Sequence, residues 1–167
     1  MRYGPDNASL HVHTYREGVA AKVGHDLIIE ATRWEATVDE GAIELTADPG
    51  SLEVREGHRG VKPLTDKDRR EIRKNIDKDI LGGEPIAFRS SEVAQDGGRL
   101  AVTGELTMAA STRPASFELE LGSDGRLNGR LPVTQSEWGI KPYRGFMGAL
   151  KVRDSVDVVI DVRLPTA

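Results

Sequence analysis

The sequence predicts an all-β protein: an antiparallel β-barrel of about eight strands, with one amphipathic helix inserted near residues 65–81. Three observations carry that expectation. Apolar residues alternate with polar ones over most of the chain, which is the period of half-buried strands. Gly- and Asp-containing turns punctuate the alternating runs at hairpin spacing. A single segment departs to a four-residue period. The 167 residues suffice for one well-cored domain, and a single domain over 1–167 is expected.

In chain order, strands fall near 9–15, 19–24, 27–38 and 42–54. Arg16-Glu17-Gly18 and Asp39-Glu40-Gly41 read as tight turns between them. The 27–38 strand changes its apolar face: Leu27, Ile29 and Ala31 are odd, whereas Trp34, Ala36 and Val38 are even. A bulge or sharp bend near Thr32 is therefore required. The next strand does the same around Pro49-Gly50, where Ile43 and Leu45 give way to Leu52 and Val54. From Thr65 to Leu81, Ile72, Ile76 and Ile80 recur every four residues. Thr65 is an N-cap with Asp68 three residues on, and Gly82-Gly83 sits where a C-cap is wanted. A strand ending near Ala94 then turns through Asp96-Gly97-Gly98 into the alternation Leu100, Val102, Leu106, Met108. Phe117, Leu119 and Leu121 form the next strand, and Ser123-Asp124-Gly125 turns the chain into one starting at Arg126. Val156, Val158, Ile160, Val162 and Leu164 close the series.

Composition narrows the function. Hydrophobic residues make up 38% and charged residues 30%, as in a soluble globular chain. The net charge of −4 argues against a general nucleic-acid binder, which needs a positive excess or a basic stripe. The basic run Lys67–Lys74 is interleaved with acids and reads as a solvated helix face. Without cysteine there is no disulfide, thiolate nucleophile or thiolate metal site. No run approaches the ~18 apolar residues of a membrane span. The N-terminus lacks the apolar core of a signal peptide, so a cytoplasmic location is expected; an exported form with its leader removed is also compatible.

In a closed barrel the apolar faces turn inward. Gly104 and Gly129 fall among the inward positions, where a glycine marks either a bend or a cavity floor. Val19, Ala21 and Val23 are small inward candidates that leave room inside. A barrel of about eight strands can just hold one small ligand.

The polar candidates start with "VGHDLIIE" at 23–30. Either His25, with Asp26, hydrogen-bonds the polar head of a ligand, or Asp26 fixes the Gly24–Leu27 turn with His25 packed at the corner. Sequence adjacency makes no catalytic pair, and no Gly-x-Ser-x-Gly elbow is present. His11 and His13 share one strand face and could chelate a metal, but Leu10, Val12 and Thr14 take the core side, leaving the histidines outward. Trp34 and Phe88 suit ordinary core packing. Trp138, Tyr143 and Phe146 cluster in "WGIKPYRGFMG", which suits a mouth or lid where Lys141 and Arg144 could meet a headgroup.

The ordered set of segments resembles the YceI-like family. The likeness runs through "GVAAKVGHDL" (18–27), where the family has an alternating strand ending in a histidine, and "PIAFRSSEV" (85–93). It continues in "LAVTGELTMAASTRPASFELEL" (100–121), like the family's hairpin with a Thr-Arg-Pro turn, then "SEWGIKP" (136–142) and "VRDSVDVVIDVRL" (152–164). Asp26 departs from the pattern, since a more apolar residue usually follows the histidine. The resemblance implies a lipocalin-like barrel holding a long-chain isoprenoid or similar amphiphile, with no enzymatic activity, cofactor or metal. The ligand-binding residues expected on this basis are Val19, Ala21, Val23, His25, Phe88, Gly104, Leu106, Trp138, Tyr143 and Phe146. The expected partner is a hydrophobic small molecule, with no nucleic acid and no membrane span, and a homodimer is left open. The alternatives are a structural or protein-interaction barrel without a ligand and, behind it, a histidine-dependent enzyme or metal-binding protein.

Overall fold

The computed structural model describes residues 1–145 and 150–165. Its strands are β1 Arg2–Tyr3, β2 Ala8–Thr14, β3 Arg16–Glu17, β4 Asp26–Ala31, β5 Trp34–Asp39, β6 Ala42–Ala47, β7 Leu52–His58, β8 Ile86–Asp96, β9 Arg99–Met108, β10 Ser111–Leu121, β11 Arg126–Thr134, β12 Arg144–Gly145, β13 Leu150–Val152 and β14 Ser155–Arg163. A helix α1, Asp66–Asn75, continues into a wider turn over Ile76–Ile80.

Two pairs of strands are single passes broken at a corner. β4 and β5 are separated by Thr32-Arg33, and β6 and β7 by a helical turn at Pro49–Ser51. The corners bend together: Thr32 N–H and Oγ1 both donate to the Ser51 carbonyl, and Asp48 N–H donates to the Arg33 carbonyl. Counting each pair as one pass, the antiparallel ladders form a ring of eight. β2 pairs with β4, β4–β5 with β7–β6, β6 with β8, and so on through β9, β10, β11 and β14 back to β2. The protein is an all-β antiparallel barrel with one inserted helix. Both face changes read from the sequence fall at these corners, so Ile29 and Ala31 before the bend and Trp34 and Ala36 after it are all buried.

The helix repairs a gap in the ring. β8 pairs with β6 only from Ala47↔Ile86 to Glu44↔Arg89, so it leaves the outer edge of β7 without a strand partner. α1 lies along that edge, and Arg69 Nη1 donates to the carbonyls of Val54 and Arg55 at 3.3 and 3.2 Å. The expected capping box is present: Asp68 N–H donates to Thr65 Oγ1 (3.1 Å) and Thr65 N–H to Asp68 Oδ2 (3.0 Å). A four-residue apolar repeat drifts about 40° per step on a 3.6-residue helix. The wider turn, with Leu81 N–H donating to the Ile76 carbonyl, offsets the drift and keeps Ile76 and Ile80 on the barrel side.

Three local expectations are corrected. Residues 19–24 are not a strand; Ala21–Val23 is a short helical turn. Its backbone bonds locally (Ala21 N–H to Gly18, Val23 N–H to Ala20, Gly24 N–H to Ala21), and the Arg16 guanidinium takes the Ala21 and Gly24 carbonyls. Val19 stands 95% exposed as a result. Arg16–Glu17 is a short strand paired with β13, not a turn. The turn after β9 falls at Ala109-Ala110, both at positive φ, and Thr112-Arg113-Pro114 lies within β10 opposite Glu105–Thr107.

Candidate functional site

The inward faces do not meet. They enclose a cavity of about 1120 Å³ whose wall is mainly apolar. Leu10 and Val12 of β2, Ile29 of β4, Leu106 of β9 and Val158 and Ile160 of β14 line it, and Ile72 of α1 with Ile76 and Ile80 of the wider turn close one side. The wall includes the hairpin residues Gly41, Gly97 and Gly98 at one end and Arg16, His25, Lys62, Tyr143 and Lys151 at the other. The space therefore runs the length of the barrel. β9 has 10 residues, which at barrel tilt corresponds to roughly 25 Å along the axis. Polar side chains gather at the second end, so the cavity has a greasy shaft and a charged mouth.

His25 stands at that mouth as a fastener. Its Nε2 donates to the Lys62 carbonyl at 2.6 Å, since a carbonyl can only accept. The ring lies so close to Gly60 that a Cβ there would fall 2.0 Å from Nε2; only glycine lets the loop approach. Asp26 does not bond the neighbouring turn. One carboxylate oxygen accepts from Arg16 N–H at 2.8 Å and the other pairs with the Arg59 guanidinium, tying together three segments distant in sequence. The dipeptide thus anchors the rim, and His25 also lines the cavity.

The other candidates divide. Val23, Phe88, Leu106 and Tyr143 line the cavity with His25. Val19, Ala21, Gly104 and Trp138 do not. Val19 and Ala21 belong to the external turn described above. Trp138 is 4% exposed, and its indole N–H donates to the Leu106 carbonyl at 2.8 Å, so it closes the core and is no lid. Gly104 lies opposite a bulge at Ser90–Glu92, where a Cβ would come within 2.2 Å of the Arg89 carbonyl oxygen and 2.7 Å of Phe88 Cζ. It is a crossing point of two strands and not a cavity floor. Phe146 lies outside the described residues. Ile72, Ile76 and Ile80 form a helix stripe in the sequence, but nothing in their spacing says what they face.

His11 and His13 are absent from the cavity wall. Among the described residues no group of three His, Asp or Glu side chains is placed to hold a metal ion. His13 faces Asp157 across β14 and Ile28 across β4. Burial, then the charges of Arg130 and His11, hold its pKa below the ordinary value of 6.5, against the opposing pull of Asp157 and Glu56. Folding therefore favours the neutral ring. Its stabilisation is complete above pH about 6.5 and is lost as pH falls through that value toward the lowered folded pKa. The thermal midpoint is expected to drop between pH 7.5 and 5, and by less in His13→Asn. Identical pH profiles for the two proteins would remove this residue from the account.

An antiparallel barrel of eight passes with a hollow apolar interior and one charged mouth defines a lipocalin-like protein. The particular family is shown by the sequence: the YceI-like domain matches residues 8–164, and the chain belongs to that family. Among solved structures it is similar to Burkholderia cenocepacia BcnA, with a TM-score of 0.65, 16% identity, 93% of this chain and 94% of that one covered. It is also similar to the Campylobacter jejuni YceI protein, at a TM-score of 0.60, 13% identity and coverage of 81% and 82%. At such identities the likeness is one of fold. No curated protein matches the chain.

Proposed function

We propose that this protein is a non-enzymatic carrier that holds a long-chain isoprenoid or similar amphiphilic lipid inside its barrel. The observation that carries the reading is the apolar cavity of about 1120 Å³, which runs from hairpin end to charged mouth. Its volume lies just above the usual range of about 300–1,000 Å³ for small-molecule pockets, and its length suits a chain better than a compact ring. Burial supplies the driving force at about 0.8 kcal/mol per CH₂, hence about 4 kcal/mol gross per five-carbon isoprene unit. Ordering of the flexible chain offsets part of this. Few polar contacts are then needed for affinity. Those at the mouth, from Lys62, Lys151 and Tyr143, serve to orient the head.

The test is organic extraction of the protein purified from its producing cell, followed by mass spectrometry. A long-chain amphiphile in near-stoichiometric amount is expected. Extracts holding only solvent and buffer, together with no uptake of added polyprenyl or acyl probes, would end the reading.

A further inference from the structure

The charged mouth carries a second feature, which the cavity wall shares only in part, through Val23, Lys62, Tyr143 and Lys151. Val19 is 95% exposed, Val61 70%, Val23 46% and Tyr143 45%, which makes four of the six large apolar residues exposed among the described residues. Backbone pairings bring their segments to the same end of the barrel. Val61 N–H donates to the Lys22 carbonyl at 3.2 Å, joining the loop after β7 to the Ala21–Val23 turn. β13 pairs with β12 through Arg144↔Lys151 and with β3 through Lys151↔Glu17, joining both segments that flank the mouth.

Cations are interleaved with these side chains. Arg16, Arg59 and Arg153 are engaged within the protein: on backbone carbonyls, on Asp26 and over the Tyr15 ring at 4.9 Å. Lys22, Lys62, Lys141, Arg144 and Lys151 make no ion pair among the described residues. Within residues 16–24, 59–62, 141–145 and 150–153 Glu17 is the one carboxylate; beside them Asp26 is held by Arg59, and Asp68 and Glu71 of the helix line the cavity. Exposed valines beside unpaired lysines describe a surface made for a lipid interface, where apolar tips enter the acyl boundary and cations meet anionic headgroups. A protein partner fits less well, because lysine is depleted at protein–protein interfaces.

We propose that this rim docks on an anionic lipid bilayer and seats the mouth of the cavity against it. Docking depends on the rim and not on what fills the barrel.

The test is flotation of the full chain with vesicles of phosphatidylcholine, with and without phosphatidylglycerol. Binding to the anionic vesicles alone, weakening as salt rises, is expected. Lys22→Glu with Lys141→Glu should lower partitioning at least about tenfold, given roughly fivefold per basic residue near the surface. Val61→Asp should lower it too. None of these side chains lines the cavity, so uptake of a polyprenyl probe in vesicle-free solution should persist in each variant. A folded protein that stays with the soluble fraction at low salt, or variants that float as well as the parent, overturns the docking surface. Self-association lost in Val61→Asp, with no vesicle binding, overturns it in favour of a second copy. Flotation with no probe uptake fails the carrier reading instead and leaves the rim standing.

Discussion

Val12→Phe combined with Leu131→Phe is expected to weaken ligand uptake while leaving the barrel folded. Both side chains line the cavity and both are only partly buried, because they border open space. Added ring volume enters that space without displacing a neighbour, so the overpacking penalty of a filled core does not arise. The thermal midpoint should hold or rise, since new dispersion contacts replace void. The ligand, in contrast, must give up its position or compress. A steric penalty of about 1–3 kcal/mol corresponds to a loss of affinity of about fivefold to 150-fold. Probe uptake and thermal melting on the same samples decide it. Unfolding of the double variant, or undiminished uptake, would mean that the walls do not enclose the binding space.

The opposite outcome is expected at Gly104 on β9. Gly104→Val should destabilise the protein by about 3 kcal/mol or more, read as a lower urea midpoint at unchanged slope. The reason is backbone contact: a Cβ at this position meets the Arg89 carbonyl at 2.2 Å and the Cα of Ser90 at 2.8 Å. Neither atom can rotate away as a flexible side chain would. Gly129 is placed alike, with the Glu118 carbonyl oxygen 2.5 Å from its would-be Cβ. These two glycines let strands cross closely and so shape the barrel that surrounds the cavity. A wild-type midpoint for Gly104→Val would refute that geometry.

The contrast between Val12 and Gly104 shows how far the sequence could be read. Alternation placed both on the inward side, and both are indeed inward. Alternation could not say which inward position borders open space and which meets a backbone, because that depends on the partner strand and on the bulge at Ser90–Glu92. Trp138 is a similar case. Its Gly- and Pro-rich surroundings suggested a lid, yet its indole N–H finds the Leu106 carbonyl 32 residues away and the ring is buried. The 19–24 segment failed for a different reason. Val19, Ala21 and Val23 alternate as a strand does, but the guanidinium of Arg16 and local backbone bonds satisfy its carbonyls before any ladder forms. His25 was legible as a feature of the corner, although its partners Lys62 and Gly60 were not.

What the sequence determined by itself was local. The long strands β8, β9, β11 and β14 with the second half of β10, two corners at Thr32 and Pro49, a capped helix over 66–80 and the family follow from periodicity, turn chemistry and ordered motifs. These properties depend on residues close together along the chain. Tertiary structure alone decided that the barrel is hollow, that α1 fills the gap beside β7, and that cations without an ion pair among the described residues gather with bare valines at one mouth. Such features arise from closure: the ring's circumference and the reach of side chains across it set the free volume, and loops far apart in sequence become neighbours only once the ring is complete.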